Sequence, residues 1–286
     1  MPHQDAPRPA PAGRVMRTIL HVSDVHFGPP HRPEASAALL DLVIERRPDL
    51  VVIAGDLTQR AKPHQFRQAR EWVDAIDAPT LAVPGNHDVP MYRFWERLFT
   101  PYGAYRKHFA HDLEPTFEDD GMFVVGINSA YNWTIKDGRV GLGRIREVER
   151  KFEAAPAGKI RVAVVHHELL PAPRFGSQKV MTHAERLAAA LAASGVRLVL
   201  SGHLHQAYCA LAETYYPEVG GDMVVAHSGT TTSSRGRGCE RGRSTGHWIE
   251  LGRSETTVTR FEWQAEGRSF ADDVVSRFPA TPAGRS

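Results

Sequence analysis

Two kinds of apolar pattern alternate along the first two thirds of this chain. Short unbroken runs of branched and aliphatic residues occupy positions 18–22, 50–54, 122–127, 160–165 and 197–200, with a shorter run at 81–83. Runs of this length predict strands covered on both faces, where alternation with polar residues is lost. Between them, apolar residues recur at helical spacing. Residues 34–47 place Leu39, Leu40, Val43 and Ile44 on one face, and Pro48 ends the helix. Pro63 opens a second helix carrying Phe66, Ala69, Val73 and Ile76, with Trp72 flanking that stripe. Further helices are predicted at 142–155 and 183–193, the latter closed by Gly195. Strands alternating with helices predict a layered α/β domain.

Beyond His205 the helical spacing stops. Runs at 207–212, 223–226, 246–251 and 256–263 predict strands without helices, most simply a second sheet of their own packed on the first. The predicted division is a disordered, Pro-, Ala- and Arg-rich tail over 1–16, one domain over 17–264, and a mostly flexible extension over 265–286. Met16 lies immediately before the first strand and would make a natural start. In the extension, Phe270, Val274, Val275 and Phe278 could form one amphipathic turn docked on the body.

Composition narrows the chemistry. The chain has 286 residues, 42% of them hydrophobic, which suffices for a large core. A net charge of only +2 implies no extended basic surface, so nucleic acid is not the expected partner. Cys209 and Cys239 supply no disulfide framework, while fifteen histidines point toward metal chemistry. No apolar run approaches the ~20 residues of a membrane span, and a cytoplasmic protein is expected.

Five polar clusters follow the apolar runs. They are Ser23-Asp24-Val25-His26, Gly55-Asp56, Gly85-Asn86-His87-Asp88, His166-His167 and Gly202-His203-Leu204-His205. In open α/β sheets the loops beyond the carboxyl ends of the strands converge on one crevice, so these clusters should meet. Pooled, they offer Asp24, His26, Asp56, Asn86, His166, His203 and His205. This mixed oxygen and imidazole set suits Mn, Fe, Zn, Co or Ni and suits Ca poorly. Seven ligands are too many for one tetrahedral ion but fit two ions sharing a carboxylate. Two ions ~3.5–4 Å apart form a clamp for in-line displacement at phosphorus, with a hydroxide between them acidic enough to form near neutral pH.

The series Asp-x-His, Gly-Asp, Gly-Asn-His-Asp, His-His and Gly-His-x-His, in this order over 17–263, resembles the calcineurin-like metallophosphoesterases. Residues 55–59 and 83–88 look most like the bacterial branch that hydrolyses 3′,5′-cyclic nucleotides. The resemblance implies a four-layer αββα sandwich of two mixed sheets flanked by helices. It also implies Asp24, His26 and His205 on one ion, Asn86, His166 and His203 on the other, and Asp56 bridging. The implied partner is a small-molecule phosphodiester, and a homodimer is compatible with the chain. One departure stands out: the family usually has proline two residues after the ligand histidine, whereas this chain has Glu168, expected to face solvent.

Other residues carry two readings each. His87 is placed to stabilise or protonate the departing oxygen, and Asp88 either orients His87 or caps the next helix. Segment 229–246 reads as a flexible Gly- and Ser-rich loop, or as a loop that bends Arg235 or Arg237 over the site to bind a phosphate oxygen; the family carries a similar Gly-Thr-x-x-Ser-x-Arg stretch beside its metal centre. Trp133, after Tyr131 and Asn132, would stack on a nucleobase or, more commonly, pack beneath its loop. His21, His64, His108, His111 and His183 are expected on surfaces or helices, His227 away from the site, and His167 beside the ligands without being one. Alternatives to cyclic-nucleotide hydrolysis are a glycerophosphodiester, a lipid-linked or nucleotide-sugar pyrophosphate, a nuclease, or a non-catalytic scaffold. A nuclease would need a basic groove, and a scaffold should have lost ligands.

Overall fold

The computed structural model describes residues 16–172 and 179–280. The tail expected at the N-terminus therefore lies, over 1–15, outside the described residues. The chain runs β1 (Arg17–Val22), α1 (Pro33–Arg46), β2 (Leu50–Ile53), α2 (Pro63–Asp74), β3 (Thr80–Ala82), α3 (Phe94–Phe99) and α4 (Gly103–His108). It continues with β4 (Thr116–Glu118), β5 (Met122–Ile127), α5 (Leu142–Glu153), β6 (Ile160–Val165), α6 (Ala184–Ala193) and β7 (Val196–Ser201). The last strands are β8 (Tyr208–Leu211), β9 (Val224–His227), β10 (Thr245–Leu251), β11 (Glu255–Gln264) and β12 (Ser269–Pro279).

Two six-stranded mixed sheets result, ordered β12-β11-β10-β1-β2-β3 and β4-β5-β6-β7-β9-β8. Their residues sort into three apolar layers. Ile19, Leu50, Val52, Val162, Val164 and Leu200 fill the space between the sheets. The alternate residues Leu20, Val51 and Ile53 turn outward onto Leu39, Phe66 and Trp72 of α1 and α2. On the other sheet Ala163, Val165 and Val199 turn outward onto Ile145, Phe152, Leu187 and Leu191 of α5 and α6. This is the αββα sandwich, and it explains why the central strands read as continuous apolar runs: both faces are covered. Each fully buried Leu, Ile or Phe contributes about 1.5–3 kcal/mol relative to exposure.

Three expectations need correction. The strands after His205 do not form a sheet of their own. β8 and β9 complete the sheet of β5–β7, whereas β10–β12 extend the sheet of β1–β3, because β9 pairs with β7 and β10 with β1. The described part of the extension contains no amphipathic turn: residues 269–279 are an eleven-residue edge strand paired antiparallel with β11. Asp272 and Asp273 meet Arg46 and Arg260, and Phe270 packs on Phe261 and Trp263. The face of α1 is also rotated from the expected one. Ala35, Ala38, Leu39, Leu42 and Val43 are buried, while Ile44 is exposed.

Candidate metal centre

All five polar clusters lie at the carboxyl ends of β1, β2, β3, β6 and β7, and the loops carrying them are hydrogen-bonded to one another. Backbone pairing of β1 with β2 continues past the strand ends: Asp24 N–H donates to Gly55 O at 3.1 Å and His26 N–H to Asp56 O at 2.9 Å. Gly202 N–H donates to His166 O at 2.9 Å, joining the loops after β6 and β7. The segment after β9 braces this arrangement. Thr230 Oγ1 donates to Asp24 O at 2.7 Å, Thr231 N–H to Ser23 O at 3.0 Å and Thr232 Oγ1 to Val25 O at 3.0 Å. Residues 230–233 are fully buried, so this part of 229–246 is a brace and not a solvated loop.

The brace supports unfavourable backbone. Asp24, His26, Asp56, His203 and His205 all have positive φ, at 52°, 54°, 52°, 80° and 57°. Left-handed backbone costs a non-glycine residue roughly 1–3 kcal/mol and persists only where its surroundings enforce it. The strain turns consecutive polar side chains inward. Close packing adds a constraint at Gly55, where φ is 92° and any Cβ would collide with the ring of His166.

The donors gather in two groups. In the first, His205 Nε2 lies 3.0 Å from both His26 Nε2 and Asp24 Oδ1. His26 Nε2 is 3.6 Å from Asp24 Oδ1 and 3.7 Å from Asp56 Oδ2. In the second, Asn86 Oδ1 lies 3.1 Å from His166 Nε2 and 2.9 Å from His203 Nδ1. His166 Nε2 is 3.4 Å from Asp56 Oδ1. The two oxygens of Asp56 thus face different groups.

Hydrogen bonds behind the rings test whether cations fit. His166 Nδ1–H donates to Ala54 O at 2.7 Å, which leaves the Nε2 lone pair facing the carbonyl oxygen of Asn86. His205 Nδ1–H likewise donates to Arg235 O at 3.0 Å, so its lone pair faces Asp24 Oδ1, a buried oxygen with no hydrogen-bond partner among the described residues. Acceptors converging on acceptors are favourable only around positive charge. The electrostatics keep the carboxylates charged, although at His166 burial, which lowers the ring's pKa, is outweighed by Asp56 and Asp24, which raise it. Burial pushes the Asp24 and Asp56 carboxyls up, but the surrounding histidines, His205 first for Asp24 and His166 first for Asp56, hold both below their ordinary values. Burial lowers His26 to about 4, leaving its ring neutral. The donor set fits two transition-metal ions.

Residues around the two groups sort less closely to expectation. His87 is half-buried, edge-on to His26 at 4.9 Å between ring centroids, and its backbone N–H donates to Asp56 Oδ1 at 2.8 Å. What orients its ring is Gln59: His87 Nδ1–H donates to Gln59 O at 2.8 Å. Among the described residues Asp88 makes no hydrogen bond to the His87 ring, and the turn it caps is its own, residues 86–88, through Gly85 N–H, not the following helix. Its carboxylate accepts from the backbone N–H of Leu57, Thr58 and Gly85 and from Thr58 Oγ1, locking the loop after β2 to the loop after β3. Arg235 is half-buried and donates to Gln59 Oε1 at 2.8 Å, whereas the side chain of Arg237 is exposed.

Glu168 faces inward, contrary to the solvent expectation. It is buried, with Oε2 3.9 Å from His203 Nε2, and burial pushes its carboxyl up to about 7. His167 belongs with His166 and His203 in a group whose ring nitrogens lie within 4.8 Å of one another, and it pairs with Ser129 Oγ at 2.7 Å. His227 is buried close by: its Nδ1 pairs with Ser201 Oγ at 2.9 Å, and Nε2 accepts from Leu204 N–H at 3.3 Å. His21 is also buried, between the sheets near His247, while His64, His108, His111 and His183 are exposed or half-exposed. Trp133 does not pack beneath its loop; it is 69% exposed. That loop adjoins the centre, because Asn86 Nδ2 donates to Ile135 O at 3.2 Å.

Comparison with known proteins accounts for this geometry. Residues 17–207 match the family model described as calcineurin-like phosphoesterase. The chain belongs to the calcineurin-like phosphoesterases. It is 28% identical, over 69% of its length and 77% of the relative's, to a probable cyclic nucleotide phosphodiesterase of Synechococcus. It is 24% identical, over 66% of its length and 71% of the relative's, to a probable glycerophosphodiester phosphodiesterase of Arcobacter nitrofigilis. Among solved structures it matches a purple acid phosphatase from yellow lupin with a TM-score of 0.71 at 13% identity, over 94% of this chain and 55% of that one, which speaks to the fold alone. The protein is a metal-dependent phosphoesterase of a family built around a binuclear centre. Among the described residues no helix is long and apolar enough to cross a membrane.

Proposed function

We propose that this phosphoesterase hydrolyses 3′,5′-cyclic nucleotides. The observation that carries this reading is the placement of His87, beside the first donor group, with Nδ1 committed to Gln59 O. Its Nε2 is left without a partner among the described residues, and when the ring carries both protons that nitrogen can hand one to a departing oxygen. A ribose alkoxide is a poor leaving group and needs such a donor, whereas a phenolate does not. The similarity to the Synechococcus relative supports the same reading.

Asp24, His26 and His205 would hold one ion in this account and Asn86, His166 and His203 the other, with the Asp56 carboxylate available to both. Bound there, such ions supply Lewis acidity for the phosphoryl oxygens and lower the pKa of a water. The chain's own groups do the rest. Asn86, tied to the carbonyl of Ile135, keeps its oxygen aimed inward. Arg235, carried on the braced segment and set against Gln59, offers its guanidinium to a phosphate oxygen. The attacking water gives up one proton to solvent as its oxygen bonds to phosphorus, the bond to the ribose 3′ oxygen breaks, and that oxygen leaves with the proton from the doubly protonated His87, which solvent then replaces. The exposed ring of Trp133 lies on the loop held by Asn86, where it offers a stacking surface to the base.

The likeness to the Arcobacter relative favours glycerophosphodiesters as a second reading. One screen separates the two. Manganese-loaded protein of measured metal content is assayed on cyclic nucleotides, glycerophosphodiesters, nucleotide sugars and oligonucleotides. The highest kcat/KM is expected for a cyclic nucleotide; a higher value for a glycerophosphodiester would replace this reading with the second, and preference for oligonucleotides would reject both.

A further inference from the structure

Glu168 occupies the position at which the family pattern has proline, and it points into the second donor group. It is 7% exposed, and its Oε2 is buried with no hydrogen-bond partner among the described residues. A buried carboxylate oxygen without a donor is costly and calls for a partner. The ring of His203 presents one. Its two nitrogens face opposite ways: Nδ1 lies 2.9 Å from Asn86 Oδ1, within the donor group, while Nε2 faces Glu168 Oε2 at 3.9 Å. A carboxylate on a three-torsion side chain can close that gap by rotation. The neighbouring ligand His166 has the same arrangement with a different acceptor, its outer nitrogen bonded to Ala54 O at 2.7 Å. His205 repeats it with Arg235 O at 3.0 Å. Among the described residues His203 has no backbone carbonyl in that role.

We propose that Glu168 is a positioning residue for the second ion: it accepts from His203 Nε2–H, fixes that tautomer, and so presents the Nδ1 lone pair to the metal. This rests on the assignment of two ions to the centre but not on the identity of the substrate. Acceptors behind ligand histidines raise ligand basicity and restrict the ring, and their loss costs 10–100-fold in metal affinity in typical cases.

The test reads metal binding, not turnover. Metal-free protein is titrated with Co(II), following visible absorption and the ions retained after gel filtration. Wild type should take up two ions in separable steps. Glu168→Leu, which fills the space without an acceptor, should weaken the second step by about 10–100-fold and leave the first unchanged. Glu168→Gln, which restores an acceptor oxygen without charge, should recover part of the loss. Nitrogen-15 spectra of the metal-free protein should show His203 as the Nε2–H tautomer in wild type and as a mixture in Glu168→Leu. Should the leucine variant not fold, Glu168→Ala carries the same comparison. Unchanged second-site affinity, equal loss at both sites, or no recovery with glutamine would each overturn the proposal. A wild type that binds a single ion would instead refute the binuclear assignment, and the substrate screen is independent of all these outcomes.

Discussion

The two donor groups of the centre differ in charge and enclosure. Asp24, His26 and His205 are all buried to 2% exposure or less, and with Asp56 they offer two carboxylates. The second group, Asn86, His166 and His203, has only the shared carboxylate among its donors, and His203 is partly open. Two carboxylates in a closed pocket hold a cation more tightly than one carboxylate and neutral donors. The first half should therefore retain its ion, while the second exchanges and faces substrate.

Substitutions on each side sharpen that contrast. His26→Ala should remove the tight step of a metal titration and most of the activity with it. Asn86→Ala should preserve that step and weaken the other by about 10–100-fold, seen as one retained ion after gel filtration. If both variants lose the same ion, the halves are not distinct.

His87 stands on the rim of the first half without belonging to it. Replacing it with alanine should leave both ions in place and slow cyclic-nucleotide turnover by roughly 10²-fold. A bis-nitrophenyl phosphate ester, whose leaving group departs unaided, should suffer much less. Equal losses on one metal-quantified preparation would make His87 a positioning residue.

Outside the centre, a buried histidine behaves differently. His247 lies between the sheets, and burial, aided by Arg260, lowers it to about 3. Between that value and the ordinary 6.5 the unfolded chain binds a proton that the folded one does not, so stability falls as pH drops from about 6.5 toward 3. His247→Gln should reduce the pH slope of the metal-free protein in this window by up to about 1.4 kcal/mol per pH unit. Urea unfolding at several pH values measures it, and an unchanged slope would mean that water reaches His247 inside the fold.

Much of this centre could be read from sequence because each donor follows an apolar run and sheet geometry sends such positions to one edge. That Asp24, His26, Asp56, Asn86, His166, His203 and His205 come together needed only strand and donor type, whereas their assignment as ligands rests on the family resemblance. Sheet membership was less legible. That β10 joins β1 and β9 joins β7 depends on pairing across distant sequence, which composition does not encode. β12 escaped notice because its residues are mostly exposed, leaving Phe270 as its one buried apolar anchor. The roles of Asp88 and Gln59 were hidden for another reason. Asp88 works on backbone N–H groups and Gln59 through a backbone carbonyl, groups that every residue carries. Glu168 was misjudged because a carboxylate is ordinarily exposed, and only its place behind His203 gives it a reason to be buried.

Asp56 joins the two halves, since its Oδ2 faces His26 and its Oδ1 faces His166. Metal analysis of Asp56→Ala after gel filtration tests that junction most directly. Wild type should retain two ions per chain and the variant should retain neither, with hydrolysis abolished; two ions retained by the variant would contradict the shared carboxylate and the centre built on it.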